Sequence, residues 1–547
     1  MDITPSQAHR LRSRSRSRTR NSTANSRSTS ATRRPLLSGS IRSLSSSSLN
    51  KLQFSSTAVE LSKDRSIPSV SATLDNSLPL DFFKQELIGL IKALRISKWH
   101  KRQLCVANML VSRILGALTN SIYKLEYNDP DLPVPCPSLL LRVYGKNVDE
   151  LIDRDSELKI LIKLSAKKIG PKMLGIFANG RFEQFLEGFI TMGKEEIRDA
   201  VISQMIGRRM KDLHYKIELD DSDKELEFPV AWIQILKWLN LFETELLPTY
   251  ADQKAVEDVL LLPWNQFREL VFTYKNWLFS KYDGRNFASN YHFCHNDTQY
   301  GNLLLKSTFD SKDVIQESNS VLPNTSNRRD KDLAVIDFEY SGANFPAFDI
   351  ADHFSEWMAD YHDPEKSYYI HEDKYPTKLE QLNLIKSYIE YDFQFPSSNL
   401  QTSSAPSVAE TDATALIEYE VKKMYNEIIY WRATVQIFWL IWGLIQHGPI
   451  TKKDPVDLLS SRTEEQGITS TYNITEGLDA VNLDGNPILE EEGISSSDDD
   501  FDYLKYTQQK SALVIGDMIS FGFLSISDVA PEYHNIIKFL DSQAYEL

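Results

Sequence analysis

Cysteine is scarce in this chain. Its 547 residues include three cysteines, Cys105, Cys136 and Cys294, which lie far apart and form no Cys-X-X-Cys pair. This pattern suggests neither a disulfide framework nor a zinc site, and it fits a reducing compartment, so we expect a cytoplasmic protein. Long apolar runs are also lacking, because the longest apolar stretch, 435–445, is about half of what a bilayer span requires. We therefore expect no stable membrane insertion.

Beyond residue 50 the chain has no excess of positive charge. Residues 1–50 contain ten arginines and one acid, a net charge of +9, so the other 497 residues carry −24. That sign disfavours nucleic-acid binding by the folded part. Residues 1–75 have no apolar periodicity and are predicted to be a disordered Arg/Ser-rich tail. An RNA-binding or localisation arm is one alternative. A transit peptide is another, although arginine at every second position from Arg10 to Arg20 does not make an amphipathic helix.

The chain is longer than one hydrophobic core usually organises, so we expect two lobes. Apolar patterns predict a helix, two strands, a helix and a strand, and then mostly helices from Glu195 onward. The predicted fold class is α+β, with a small antiparallel-sheet N-terminal lobe, 76–188, and a large, mostly helical C-terminal lobe, 189–547. Polar inserted loops are predicted at 307–331, 395–412 and 450–500.

Two motifs contain the carboxylates and the amide that a phosphoryl-transfer enzyme needs. Residues 295–302 read HNDTQYGN and residues 337–340 read DFEY, each beside a strand-like apolar run. Such an enzyme needs one carboxylate near the attacking hydroxyl, and a carboxylate and an amide oxygen to hold Mg²⁺ against the nucleotide phosphates. Asp297 is the candidate for the first role, and Asn302 and Asp337 are the candidates for the second. Either motif alone could consist of ordinary turn residues.

A glycine-rich Gly-X-Gly-X-X-Gly loop is absent from the sequence, and so is Asp-Phe-Gly, which disfavours a protein kinase. The best candidate for a loop whose backbone amides hold phosphates is 115–120, between two strand-like runs. It has one glycine, so an ordinary hairpin is the default interpretation.

Arg142 is a cation flanked by apolar residues in the predicted strand SLLLRVYG. Because a buried charge needs a partner, we predict that Arg142 pairs with a phosphate or with a helix carboxylate such as Glu157. The alternative is an edge-strand arginine that faces water. Protein kinases usually have lysine at this place, but arginine can hold phosphate oxygens bidentately.

Aromatic residues are abundant in the C-terminal half. Trp439 and Trp442 are three residues apart, on one face of a predicted helix. Aromatic rings together with carboxylates can hold a quaternary ammonium group through cation–π attraction and charge pairing. Plain core packing is the alternative. Further aromatic residues in acidic surroundings are Trp357, Tyr361, Tyr503 and Tyr506.

These residues resemble the choline/ethanolamine kinase family, and most closely its fungal members. The resemblance runs from about Leu74 to the C-terminus, and its most specific pieces are FCHNDTQYGNLL, VIDFEYSGANFPAFDIADHFSEWM, NGRFEQFLEG and FWLIWGLIQ. It implies a two-lobed protein-kinase-like fold. It also implies transfer of the γ-phosphoryl group of ATP to choline, giving phosphocholine in the CDP-choline route to phosphatidylcholine, with ethanolamine as a second acceptor and ATP and Mg²⁺ as cofactors.

The resemblance also implies a role for each matching residue. Asp297 would be the catalytic base, and Asn302, Asp337 and, less directly, Glu339 would hold Mg²⁺. The phosphate loop would be Leu115, Gly116, Ala117, Leu118, Thr119, Asn120 and Ser121, where Leu-Gly-Ala replaces the family's usual Gly-Gly or Ser-Gly. Other nucleotide contacts would be Arg142, with Glu157 as its possible partner, Gln184, Phe185, Leu186 and Gln299. Choline would contact Glu356, Tyr361, Trp439, Trp442 and Tyr506, with Phe501 as a less certain wall.

Several alternatives remain within this resemblance. An ethanolamine kinase would need hydrogen-bond acceptors for a primary ammonium, whereas the pair Trp439 and Trp442 favours choline. A kinase-like binding protein without activity would lack a base or a metal ligand, yet Asp297, Asn302 and Asp337 are all present. Family enzymes are often dimeric, so a homodimer is a further expectation that no segment of the sequence demonstrates.

Overall fold

The computed structural model describes residues 67–114, 120–130, 135–144, 154–167, 169–250, 252–282, 287–313, 326–394, 410–449 and 501–547. The predicted acidic insert at 450–500 and most of the predicted tail lie outside these ranges. The boundary at residue 188 between the predicted lobes stays a prediction.

A six-stranded sheet forms the N-terminal part, in the order β1-β5-β6-β4-β3-β2. Its neighbouring strands are antiparallel, except that β1 pairs parallel with β5. The strands are β1 (Ser69–Val70), β2 (Met109–Ile114), β3 (Asn120–Tyr127), β4 (Leu139–Tyr144), β5 (Met173–Phe177) and β6 (Gly180–Gln184). The helices beside them in sequence are α1 (Leu80–Ala93) and α2 (Arg154–Lys167). The predicted helix, two strands, helix and strand correspond to α1, β3, β4, α2 and β6, whereas β1, β2 and β5 are not among the strands that the apolar patterns predict.

The end of the predicted tail needs a correction. The sequence predicts disorder up to residue 75, but Ser69 and Val70 pair with Ile176 and Phe177, and Ala72 and Leu74 are buried. Too few residues precede α1 here for an apolar period to be recognised. The sheet edge and the core beneath it decide the conformation of this segment.

A separate hydrophobic cluster lies between α1 and the six-stranded sheet. Apolar residues at helical spacing in α1, such as Phe83, Leu87 and Ile91, are buried against sheet residues that include Leu141 and Phe182. Burying this stripe removes apolar surface from water, which stabilises the helix on the sheet. The cluster gives β4 and β6 the rigid backing that positions Arg142.

The C-terminal part is mostly helical. Its helices are α3 (Ala200–Lys216), α4 (Asp221–Lys224), α5 (Val230–Leu241), α6 (Gln253–Leu260), α7 (Trp264–Ser280), α8 (Pro346–Glu356), α9 (Lys378–Gln394), α10 (Glu410–His447) and α11 (Tyr503–Ser520). The described residues therefore form an α+β structure, with the two-lobed organisation of a protein-kinase-like fold, as predicted. Helix α10 begins at Glu410, which lies inside the polar insert predicted at 395–412.

Helix α10 is also the one described helix with the length and apolar composition of a membrane span. The qualifying residues are Thr414–His447, and 89% of the most apolar window is buried inside the protein. Its tryptophans and aliphatic residues pack against α8 and α11. Packing inside the fold therefore accounts for its apolar character.

Two small sheets carry the motif segments. Strands β7 (Phe189–Thr191), β9 (Leu303–Lys306) and β10 (Leu333–Val335) form one, and β8 (His292–Cys294) pairs with β11 (Gly342–Asn344) in the other. The motif HNDTQYGN connects β8 to β9, and DFEY connects β10 to β11. Because each motif joins one sheet to the other, the two motifs lie side by side.

The described ends of the predicted insert 307–331 are ordered. Asp330 is buried and accepts two hydrogen bonds of 2.8 Å from Arg208 of α3. This ion pair joins the segment before β10 to the helical core.

Candidate active site

The HNDTQYGN segment is held by Asp349, a fully buried residue of α8. Its Oδ2 accepts the backbone N–H of His295 at 2.9 Å, and its Oδ1 accepts the backbone N–H of Asn296 at 2.8 Å. The hydroxyl of Thr298 donates to the same Oδ1 at 3.1 Å. Asn296 has a φ of 65°, in the left-handed region that non-glycine residues rarely adopt. One carboxylate thus fixes a strained turn directly before Asp297.

A further partner of Asp349 explains a cluster that has the spacing of a metal site. His214, Cys294 and Asp349 place their ligand atoms within 4.8 Å of one another. Both His214 nitrogens are engaged, since Nε2 lies 2.9 Å from Asp349 and Nδ1 lies 2.7 Å from the hydroxyl of Tyr388. Burial opposes ionisation of Asp349, but its hydrogen bond with His214 and the nearby histidine charges hold its pKa below the usual value. The cluster is therefore a structural hydrogen-bond network.

Asp297 and Asn302 are in direct contact, as their spacing predicts. Asn302 donates from Nδ2 to Asp297 Oδ2 at 2.8 Å and to the Asp297 backbone oxygen at 3.0 Å. Burial raises the pKa of Asp297 well above its ordinary value, and the charges of Asp352 and Glu356 reinforce the shift. A raised pKa makes a carboxylate a better proton acceptor, which suits a general base.

Arg142 reaches the second motif. Its Nη1 donates to Asp337 at 3.2 Å from Oδ1 and 3.1 Å from Oδ2, and its Nε lies 3.9 Å from Glu183. Arg142 is 4% exposed, which excludes the alternative of an edge arginine facing water. Burial opposes ionisation of Asp337, but Arg142 and Arg181 hold its pKa below the usual value. The side chain of Glu157, the predicted partner, lies outside the described residues.

Other candidate nucleotide contacts follow the strands of the sheet. Ser121 lies opposite Val143 in the β3–β4 pair, and Gln184 ends β6, opposite Leu139. Phe185 and Leu186 come directly after β6, and Lys124 Nζ lies 4.8 Å from the Phe185 ring.

The candidate phosphate loop cannot be followed in the same way. Leu115, Gly116, Ala117, Leu118 and Thr119 lie outside the described residues, and only the backbone of Asn120 is described, as the first residue of β3. For Gln299, the structure shows that its backbone oxygen accepts the N–H of Asn302 at 3.1 Å. The role of residues 115–121 as the phosphate loop, and those of Gln184, Phe185, Leu186 and Gln299 as nucleotide contacts, therefore stay predictions.

The five predicted choline contacts form one group with Phe501, which we call the aromatic cage; its members are Glu356, Tyr361, Trp439, Trp442, Phe501 and Tyr506. Hydrogen bonds fix the polar edges: Trp439 Nε1 donates to Asp352 at 2.8 Å, and the Tyr361 hydroxyl donates to Glu356 Oε2 at 2.7 Å. Ring centroids of neighbours lie 5.6 Å apart for Trp439–Trp442, 6.1 Å for Trp442–Tyr506, 5.4 Å for Phe501–Tyr506 and 6.5 Å for Tyr361–Phe501.

The cage depends on a close approach of α10 and α11. A Cβ atom at Gly443, beside Trp442, would lie 2.5 Å from the hydroxyl oxygen of Thr507 and 3.3 Å from the ring of Tyr506. Glycine therefore lets the two helices bring Trp442 and Tyr506 together. A larger residue at this position would separate the two walls.

Sequence reasoning missed three side chains of this site. Tyr340 accepts the Trp442 Nε1 hydrogen at 2.9 Å, and its ring lies 5.3 Å from that of Trp439. Asp352 carries the Trp439 bond described above, and Lys510 is fully buried beside Glu356. Helical spacing could have found the last two, because Asp352 precedes Glu356 by four residues and Lys510 follows Tyr506 by four.

The donor atoms present fit a magnesium ion. Asn302 bonds to Asp297 through its side-chain nitrogen, so its Oδ1 points away from Asp297. Asp337 and Glu339, which supply two carboxylates, come shortly after the end of β10. Hard oxygen ligands of this kind are what Mg²⁺ prefers, usually together with substrate phosphates and water. Asp337 has a φ of 63°, so its backbone too is held in an uncommon conformation at this point.

The two-lobed fold, the Asp297–Asn302 pair and the Arg142–Asp337 pair define a kinase-like phosphotransferase. Two family models match the chain: "Choline/ethanolamine kinase" over residues 111–515 and "Choline kinase N terminus" over residues 61–108. The chain therefore belongs to the choline/ethanolamine kinase family.

Relatives in yeast agree with this assignment. The chain is 38% identical to the choline kinase of Saccharomyces cerevisiae over 511 residues, which cover 87% of this chain and 82% of the relative. It is 32% identical to the ethanolamine kinase of the same yeast, over 83% of this chain and 80% of that protein. The match to a crystal structure of choline kinase from Cryptosporidium parvum covers 66% of this chain and 89% of that one, at 20% identity and a TM-score of 0.47.

Proposed function

We propose that this protein transfers the γ-phosphoryl group of ATP to the hydroxyl of choline, giving phosphocholine in the CDP-choline route to phosphatidylcholine. The observation that carries the proposal is the aromatic cage beside Asp297. The charges of Asp352 and Glu356, which line the cage, are near enough to raise the pKa of Asp297. A small alcohol bound by its cationic end in the cage would thus have its hydroxyl near this carboxylate.

Asp297 is the group that accepts the hydroxyl proton as the oxygen attacks phosphorus. Asn302 holds the carboxylate in one orientation through its 2.8 Å bond. Asp349 fixes the backbone around both of them, which places the base before substrate arrives. Because the transferring group needs little covalent help from the protein, such positioning is most of what this chain must supply.

The nucleotide would lie between the six-stranded sheet and the DFEY segment. Arg142 would neutralise phosphate oxygens, and Gln184, Phe185 and Leu186 would line the adenine side. Asn302 and Asp337, with Glu339 close by, would hold Mg²⁺. When bound, the ion neutralises charge that develops on the phosphate oxygens.

The cage suits a quaternary ammonium group. Three methyl groups on nitrogen leave no N–H to donate, so attraction comes from ring faces and from the carboxylates. Trp439 and Trp442 supply two such faces, and Tyr361 and Tyr506 supply smaller ones. Asp352 and Glu356 supply the charge. Choline is therefore the proposed main substrate.

Ethanolamine is the second candidate substrate, either as a minor acceptor or as the main one. The 32% identity to yeast ethanolamine kinase supports ethanolamine as a candidate substrate. We further propose a cytoplasmic location, because the three cysteines are free in the structure, and a homodimer, which follows the family expectation alone.

The experiment is a comparison of kcat/KM for choline and ethanolamine, with purified full-length protein, ATP and Mg²⁺. We expect the choline value to be the larger. A value for ethanolamine that exceeds the choline value by tenfold or more would replace choline as the main substrate. If neither alcohol is phosphorylated, the proposed function itself is wrong. ATP hydrolysis without an alcohol is the background to subtract.

A further inference from the structure

Lys510 is a buried cation of the aromatic cage to which sequence reasoning gave no role. It lies on α11, four residues after Tyr506, and its side chain has no exposed surface. Its Nζ lies 3.8 Å from Oε1 of Glu356, whose side chain is 2% exposed. The same Nζ lies 5.3 Å from the ring centroid of Tyr506. A buried ammonium therefore lies between a substrate carboxylate and a wall of the cage.

The two oxygens of Glu356 have different partners. Oε2 accepts the hydroxyl of Tyr361 at 2.7 Å. Among the described residues, neither Oε1 nor Lys510 Nζ has a hydrogen-bond partner, and each is the nearest opposite charge to the other. Their distance of 3.8 Å is too long for a hydrogen bond but short enough for an ion pair.

Burial makes either charge of this pair costly if its partner is removed. Removing a lysine from water disfavours its charged form, and burial lowers the pKa of Lys510, while Glu356 and Asp352 oppose that shift. Two carboxylates, those of Glu356 and Asp352, therefore act on this one buried cation, and Oε1 of Glu356 is the oxygen that lies 3.8 Å from it.

We propose that Lys510 is a specificity-determining residue, which pairs its charge with Oε1 of Glu356 and so favours a quaternary over a primary ammonium substrate. The inference rests on the proposed function of this site. Because Oε2 already accepts from Tyr361, a primary ammonium must donate to Oε1, which brings its charge close to the Lys510 ammonium 3.8 Å from that oxygen. The methyl groups of a trimethylammonium keep its charge farther from Oε1, and it needs only the aromatic surface and the net charge. Two ammonium groups on one buried oxygen repel each other, so the primary ammonium loses more.

The test is the ratio of kcat/KM for choline to that for ethanolamine, measured at pH 8 in the full-length protein. Lys510→Met keeps the length of the side chain and removes its charge. We expect the ratio to fall about tenfold, chiefly because ethanolamine can then donate to Oε1 of Glu356 without a second ammonium beside it; tenfold corresponds to about 1.4 kcal/mol. In a Glu356→Gln background the same change should no longer shift the ratio, because Lys510 acts through that carboxylate.

Lys505→Met is the matched control. Lys505 lies on the same helix, and its partly exposed side chain forms a 3.1 Å ion pair with Asp502. Its removal should leave the ratio unchanged. If Lys510→Met does not fold, as judged by its thermal unfolding curve, Lys510→Gln gives the same test with a smaller expected fall of about threefold.

Different results would contradict the proposed function and the inference about Lys510. Wild-type protein that phosphorylates neither alcohol contradicts the proposed function. Active wild type with an unchanged ratio in the Lys510 variants, or with equal losses for both substrates, shows a merely structural lysine and overturns the inference. A shift toward choline overturns it as well.

Discussion

The guanidinium of Arg142 lies 3.1 Å from the carboxylate of Asp337, a contact between residues 195 positions apart. It joins the six-stranded sheet to the segment that follows β10. Arg142 thus forms an ion pair with Asp337, the carboxylate proposed to hold Mg²⁺, where the nucleotide phosphates are expected to bind. The contact orders both side chains before the nucleotide binds.

Replacing Arg142 should weaken nucleotide binding more than choline binding. We expect Arg142→Met to raise KM for ATP about tenfold or more, because a charge-assisted hydrogen bond is worth about 1.5–3 kcal/mol. The KM for choline should change less than about twofold. Steady-state kinetics with each substrate varied in turn measures both values. Arg113→Met, on the exposed part of β2, is the control, and equal changes in both KM values would contradict the assignment.

Asp349→Asn tests the anchoring of the catalytic turn. The amide would direct an NH₂ group toward backbone N–H groups or toward His214, which leaves buried donors without acceptors. We expect the free energy of unfolding to fall by on the order of 2–4 kcal/mol, and kcat to fall even at temperatures where the variant is fully folded. Denaturant unfolding and turnover measure these quantities. Asp373→Asn, a solvent-exposed change, should stay within about 0.5 kcal/mol of wild type.

Trp442→Ala should distinguish a cation-binding wall from ordinary packing. Because a desolvated cation–π contact is worth up to about 2 kcal/mol, we expect KM for choline to rise about tenfold and KM for ethanolamine to rise less. Equal increases for both substrates would instead support a packing role. Trp277→Ala, which removes a tryptophan of α7 that packs on Tyr430 and Phe521, serves as the control for general destabilisation.

The stability of the fold should fall in mild acid through His353. Its Nδ1 lies 2.9 Å from the Thr298 oxygen, and its Nε2 accepts the Trp357 indole hydrogen at 3.2 Å, so a second proton has no place. Burial lowers the pKa of His353 to about 4 from the ordinary 6.5. The unfolded chain therefore binds a proton that the folded protein does not, and stability is lost as pH falls from 6.5 toward 4.

His353→Gln should remove about 2 kcal/mol of that pH dependence between pH 6.5 and 4.5, as measured by denaturant unfolding. His362→Gln, which changes an exposed histidine, should keep the wild-type profile. A His353→Gln profile that matches wild type would mean that other groups cause the acid sensitivity.

Periodicity and motif spacing predicted much of this structure. The stripe of Phe83, Leu87 and Ile91 predicts α1, and the five-residue spacing of Asp297 and Asn302 predicts their contact. Contacts between distant segments carry no such local signal. The pairing of Arg142 with Asp337 depends on how the two lobes pack. The same holds for β1, where the sheet edge orders a segment without apolar period.

The aromatic cage was predictable only where its residues lie close together in the sequence. Trp439 and Trp442 share a helix face, which their spacing reveals. The carboxylate that accepts the Trp439 hydrogen, Asp352, comes from another helix, and the glycine that lets α10 approach α11 is noticeable only once both are placed. The spacing of Lys510 from Tyr506 places both on one face of α11, but its burial depends on how that helix packs.

The most direct test of phosphoryl transfer with Asp297 as the base is phosphocholine formation by purified wild type and Asp297→Asn, followed by ³¹P NMR with ATP and Mg²⁺. We predict ATP-dependent phosphocholine with wild type and a kcat lower by about 10²–10⁴ with Asp297→Asn, at an unchanged unfolding temperature. Near-normal turnover by the folded variant, or no phosphocholine from wild type, would contradict the account.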